Sequence, residues 1–165
     1  IPCRPSSSST RSASAALTRL ADIIGQNPLF ISAIRLVMAQ RLVRRLDDNL
    51  KQPYDPSEAE RKKITSVIDT LPEGAPRPNL EGLKLYKPGT SAANPYGFQG
   101  QIAIREQFTM GDKLRHLLEN PKLDVTAQAI EEAAIHSSMR TMLQDGMLKV
   151  VAGETTLEEL YRVVG

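Results

Sequence analysis

With 165 residues, 41% hydrophobic and 24% charged side chains, the chain has the make-up of one ordinary domain or a modest domain with a small appendage, and disorder over its whole length is excluded. The formal charge of +2 is uneven, with eight Lys/Arg against three Asp/Glu in residues 1–51 and thirteen against sixteen in 52–165. Only 4% of residues are aromatic, and none interleave with the bases, so a nucleic-acid-binding face is not indicated.

Cys3 is the single cysteine, which rules out an internal disulfide or a thiolate cage from this chain and suits a reducing compartment. Residues 1–12 are rich in Ser and Pro without periodicity and are expected to be disordered or aberrant; they lack the apolar stretch of a secretory signal. A helix is predicted over 13–24, with Leu17, Leu20 and Ile24 on one face and Gly25 as its stop. Asn27 as N-cap and Pro28 at the first position then open a second helix, predicted to run over 28–46. Its apolar run, 28–43, is broken by Ser32, Arg35, Gln40 and Arg41, so it reads as a buried helix and not as a bilayer span. Arg41, Arg44 and Arg45 at its end suit the negative pole of the helix dipole; the same cluster offers a clamp for phosphate or an acidic partner.

"YDPSEAERKKITSVIDTL" (54–71) predicts a helix with Asp55 as N-cap, Pro56 next, and Glu58 completing a capping box. Residues 72–100 hold five of the eleven prolines and five of the ten glycines, which marks turn-rich ground containing a short strand at 83–86. Ile102, Ile104 and Phe108 alternate over 100–108, predicting a strand that pairs with 83–86. Helices follow at about 112–119, 124–138, 138–151 and 155–163. Met139, Met142, Leu143, Met147 and Val150 form a core stripe in the third of these, and Thr155 with Glu158 forms a capping box after the Gly153 stop. The fold class is mainly α with a small β insertion, α+β. The expected blocks are 1–12, a helical block 13–71, a small β subdomain 72–108 and a helical subdomain 109–165.

Catalytic signatures are missing. There is no G-x-x-x-x-G-K-[ST], no Gly-rich dinucleotide turn and no H-E-x-x-H. The serines at 6–9 lack a strand-to-helix elbow. His116 and His136 lie on separate predicted helices and read as ordinary surface or half-buried histidines. Glu131 and Glu132 point about 100° apart on a helix and read as surface charge.

The order of three segments, "ALTRLADIIGQNPLFISAIRLVMAQRLVRRL" (16–46), "YGFQGQIAIREQF" (96–108) and "MRTMLQDGMLKVVAGETTLEELYRVV" (139–164), resembles the C-terminal part of the motor ATPases of type II secretion and type IV pilus assembly. The resemblance is collinear over roughly 13–165. It implies the C-terminal portion of a RecA-like P-loop domain, in hexamers on the cytoplasmic side of the bacterial inner membrane, with pilus or secretion platform proteins as partners. ATP and Mg are expected only for the full-length parent, whose P-loop, acidic boxes and Walker B carboxylate lie upstream of the matched region. The family's histidine box, S-T-L-H-T-N, falls on residues 6–11, where this chain reads "SSSSTR" and Ser9 replaces the histidine. Many relatives also carry two C-x-x-C pairs that bind zinc; here "LDDNLK" (46–51) and "KPGTSAANPYG" (87–97) stand in their places, so no zinc is expected.

The expectation is therefore a structural and subunit-contact piece of such a motor, with no catalytic, cofactor or metal residue of its own, no nucleic-acid partner, and Arg41, Arg44 and Arg45 as candidates for the subunit interface. The alternative from the residues alone is a stand-alone helical protein-interaction module.

Overall fold

The computed structural model describes residues 12–24, 28–120 and 126–165. Residues 1–11, Gly25 and Asn27 lie outside them, so the N-terminal segment, the first helix stop, the Asn27 cap and the position of the family's histidine box do too. The element order is α1 (Ala13–Ile24), α2 (Pro28–Ala33), β1 (Leu36–Leu46), β2 (Gln52–Tyr54), α3 (Glu58–Asp69), β3 (Leu85–Lys87), β4 (Phe98–Thr109), α4 (Asp112–Glu119), α5 (Ala127–His136), α6 (Met142–Val151) and α7 (Leu157–Val164). The fold is α+β with two two-stranded sheets among the described residues, β1 with β4 and β2 with β3.

The largest departure from the sequence reading is at 36–46, predicted as the second half of a helix and found as a strand. Leu36, Val37, Met38, Ala39, Leu42 and Val43 satisfy a helical stripe and a strand face equally well, and a short apolar run cannot decide between them. The strand is selected by its partner: β4 matches it in length, and tertiary pairing overrides a weak local preference. The Met110 N–H donates to the Arg35 carbonyl at 2.9 Å and the Asp47 N–H to the Gly97 carbonyl at 3.0 Å, so the two strands run in opposite directions. The expected pairing of 100–108 with 83–86 is accordingly corrected. β3 pairs instead with β2, antiparallel, with Pro53 opposite Tyr86.

The chain divides into two compact units, residues 1–39 with 107–137, and 40–106 with 138–165. Each is discontinuous, so they cut across the consecutive blocks expected from sequence. In the first unit α1 packs on α5, and α4 on both α2 and α5, around buried Leu17, Ile31, Phe108, Leu114, Leu118 and Ile130. Ser12 caps α1 by accepting from the Ala15 N–H at 3.1 Å, and Arg115 donates to the Ser32 carbonyl at 3.2 Å, at the end of α2.

In the second unit α6 packs on α3, α7 and β3. Of the predicted stripe, Met139, Met142, Met147 and Val150 are buried there, with Ile64, Ile68, Leu85, Ile104 and Leu160, while Leu143 is half-buried. Gln144, itself buried, donates its amide to the Thr70 carbonyl at 2.7 Å, tying α6 to the end of α3. Close approach of α6 and α7 needs Gly146, where a Cβ would fall 2.2 Å from a Leu160 methyl.

Two caps are shifted from their predicted residues. α3 is capped by Ser57, not Asp55: Ser57 accepts from the Glu60 N–H and Glu60 accepts from the Ser57 N–H, while Asp55 pairs with Lys84 at 2.8 Å. α7 is capped by Thr156 accepting from the Glu159 N–H at 3.1 Å, not by Thr155 with Glu158. Thr155 is buried and donates its hydroxyl to the Arg44 carbonyl at 2.8 Å, a tertiary bond unavailable to a cap. α6 starts at Met142, behind a Thr141–Gln144 capping box, because Ser138 adopts a left-handed conformation at φ 67. The Gly153 stop holds, at φ +72. No helix among the described residues is long and apolar enough to cross a membrane.

Candidate functional site

Arg41, Arg44 and Arg45 stand on β1, so there is no helix terminus for them to complement and the dipole reading is corrected. Arg41 and Arg44 meet α7. Arg44 donates through Nε (3.0 Å) and Nη2 (2.8 Å) to one carboxylate oxygen of Glu159, and its backbone N–H donates to the other at 3.0 Å. Arg162, one helical turn beyond Glu159, donates through Nε at 3.1 Å and through Nη2 to the same carboxylate. Arg41 donates through Nη1 to the Val163 carbonyl in the last turn of α7. Arg45 pairs with Asp48 at 2.6 Å on the surface.

Glu159 is 1% exposed, and an isolated carboxylate at that depth would be driven toward its neutral form. The Arg162 hydrogen bond above all, with those from the Arg44 side chain and backbone, outweighs burial and holds its pKa at about 2. Arg162 is raised in turn by Glu159. The Arg44 guanidinium also lies over the Phe98 ring, 4.2 Å from its centroid, a cation–π contact. One buried carboxylate thus gathers two guanidiniums from different elements, in an arrangement that binds and orients but moves no proton near neutral pH. Glu159 and Arg162 were not singled out by sequence reasoning. The available signal was the E-E-x-x-R run at 158–162, read there for a cap at Glu158 and as part of the closing segment of the resemblance.

The segments 46–51 and 87–97 meet in the second unit. The Asn94 amide donates to Asp47 at 3.0 Å and to the Phe98 carbonyl at 3.1 Å. The Asn94 side-chain oxygen accepts from the Gly97 N–H at 3.0 Å, and the second Asp47 oxygen accepts from the Asn49 N–H at 3.0 Å. Backbone packs on backbone here: a Cβ at Gly89 would lie 2.0 Å from the Leu50 carbonyl oxygen. These donors and acceptors satisfy one another and include no thiolate or imidazole, so the residues present do not fit a structural zinc ion. Among the described residues no group of three or more His, Cys, Asp and Glu is placed to hold a metal.

A cleft of about 280 Å³ opens beside β2, β3 and the start of α7, with Tyr54, Glu60, Tyr86 and Leu157 among its walls. The Tyr54 hydroxyl donates to Glu60 at 2.8 Å. Burial and that bond push its pKa up to about 12, so it stays protonated and offers no base. His116 and His136 are both exposed, as is Glu132, which accepts from the Gln128 amide at 3.0 Å.

The family model described as Type II/IV secretion system protein matches residues 6–162. Type II secretion system protein E of Xanthomonas campestris is 36% identical over 93% of this chain and 25% of its own length. Type IV pilus assembly ATPase PilB of Thermus thermophilus is 33% identical over 92% of this chain and 16% of its own. Type II secretion system ATPase E of Vibrio cholerae is 35% identical over 93% and 28%. The chain therefore spans between 16% and 28% of the length of these relatives. Since that match runs through both strands of the β1–β4 ribbon and through the helix that carries Glu159, the chain belongs to the type II/IV secretion system protein family.

Proposed function

We propose that this chain corresponds to the C-terminal part of a hexameric motor ATPase that powers type IV pilus assembly or type II protein secretion. In that reading it completes a RecA-like nucleotide domain and contributes to contacts between subunits, at the cytoplasmic face of the bacterial inner membrane beside the platform proteins. Arg41, Arg44 and Arg45 belong to the contact surface, ATP and Mg are bound by the full-length parent, and this segment holds no zinc.

The observation that carries the reading is the collinear family match over 6–162, with relatives named as secretion or pilus assembly ATPases and far longer than the matched region. The segment carries no glycine-rich nest with its lysine to hold a triphosphate, and the buried Glu159 is held by Arg44 and Arg162. A steady-state assay of phosphate release by the purified chain with ATP and Mg is expected to stay at the background rate. Turnover above background, abolished by a substitution within this chain, overturns the assignment of a purely architectural role.

A further inference from the structure

The cleft beside β2, β3 and the start of α7 holds charges that the fold itself does not use. Its volume of about 280 Å³ lies just under the range of sites for drug-sized molecules and suits one long side chain or its equivalent. Its lining offers apolar surface from Tyr54 and Leu157, two carboxylates, Glu60 and Glu158, and one ammonium, Lys87. Glu60 is fixed in place: its Oε2 accepts from the Ser57 N–H at 2.8 Å and hydroxyl at 2.7 Å, and its Oε1 accepts from the Tyr54 hydroxyl at 2.8 Å. These bonds, the Ser57 hydroxyl first, hold its pKa below the ordinary glutamate value. It is therefore ionised at neutral pH, and Oε1 keeps a lone pair for a second donor. Glu158 and Lys87 are exposed, and among the described residues neither has an ion-pair partner. Two carboxylates against one ammonium leave the lining with a net charge of −1. The positive pole of α7 does not reverse this, because the first turn already carries Glu158 and Glu159 to complement it.

We propose that this cleft binds an alkyl cation, a guanidinium or ammonium on a short aliphatic stem, with the charged head at Glu60 and Glu158 and the stem against Tyr54 and Leu157. Both carboxylates line one cavity, so a single head group has both within the same space. A guanidinium presents five N–H donors in one plane, enough for the open Glu60 lone pair and a Glu158 oxygen together, and an aromatic wall adds cation–π attraction. Lys87 limits the affinity by repelling the head. The same chemistry comes from the Arg or Lys side chain of a partner protein or from a free alkylguanidine or alkylamine. The site shares no residue with the β1 arginine cluster. It does not depend on the ATPase assignment, and a failure in the phosphate-release assay leaves it intact.

The test is an NMR titration of the isotope-labelled chain with N-acetyl-arginine methylamide, which mimics a protein side chain, at constant ionic strength. Agmatine, a free cation, forms a second arm, and acetate is the anionic control. The backbone amide signals of Leu157 and Glu158 and the ring signals of Tyr54 are expected to move along one saturating curve with the cations and not with acetate. Tyr161, whose ring lies under Lys63 and outside the cleft, is expected to stay still. Glu158→Gln is expected to weaken binding by about fivefold, the upper end for an exposed ion pair, and Lys87→Gln to tighten it by a similar factor. Both residues are exposed, and a loss of structure does not produce effects of opposite sign. Saturation by N-acetyl-arginine methylamide at lower concentration than agmatine assigns the site to a partner's side chain, and the reverse assigns it to a free cation. A linear drift shared with Tyr161, saturation by acetate, or affinity unchanged in both variants overturns the proposal.

Discussion

Glu159 concentrates the electrostatics of the second unit in one side chain. Its pKa, held at about 2, lies well below the 4.5 of a free glutamate. The stabilisation this represents is fully present above about pH 4.5 and is lost as pH falls toward about 2; for a shift of that size it amounts to about 3 kcal/mol. Glu159→Gln is expected to lower unfolding free energy by about 2–3 kcal/mol at neutral pH and to flatten the fall in stability between about pH 4.5 and 2, read from urea titrations across that range. Asp48 and Asp55 are also lowered, chiefly by hydrogen bonds from Lys51 and Lys84, but these carboxylates are exposed and such pairs contribute little. At Ser138 the backbone carries the strain, with φ 67 on a residue that has a Cβ. Ser138→Gly is expected to raise stability by about 0.5 kcal/mol, seen as a higher urea midpoint with an unchanged slope, and Ser138→Val to lower it.

Among the elements, the helices that announce themselves by period were legible, and their ends were not. The sequence 54–60 contains two overlapping capping patterns, one starting at Asp55 and one at Ser57. The structure takes the Ser57 pattern, in which Ser57 and Glu60 bond reciprocally, and Asp55 pairs instead with Lys84 from a distant loop. The two threonines before α7 pose the same ambiguity, settled by the Arg44 carbonyl that claims Thr155. β1 is the instructive failure, since its apolar residues fit either period and its partner lies more than fifty residues away. The close approach of α6 and α7 could not be read from a single glycine. Gly146→Ala gains helix propensity by about 1 kcal/mol, yet its methyl would meet a buried Leu160 methyl at 2.2 Å and lie 3.4 Å from Ile104. The expected result is a net loss of about 1–2 kcal/mol in thermal or urea unfolding.

For the whole molecule, the α+β class, the methionine core and the family were visible in the sequence, because composition, period and motif order are local or collinear properties. The two units were not, because each is assembled from two separated stretches of chain and their boundaries fall inside β1 and β4. The Glu159 cluster was hidden for the same reason: Arg44 and Glu159 are 115 residues apart, and a charge doublet on a helix gives no hint of what will be buried against it.

The even-numbered face of β1 has a practical corollary. Leu36, Met38 and Leu42 are 49%, 44% and 52% exposed at even-numbered positions of β1, with the exposed Gln40 between the last two. Exposed aliphatic side chains of this size partition to air–water boundaries, plastic and chromatography resin. Anyone handling the isolated segment should find its recovery governed by mild detergent or a soluble fusion carrier more than by salt.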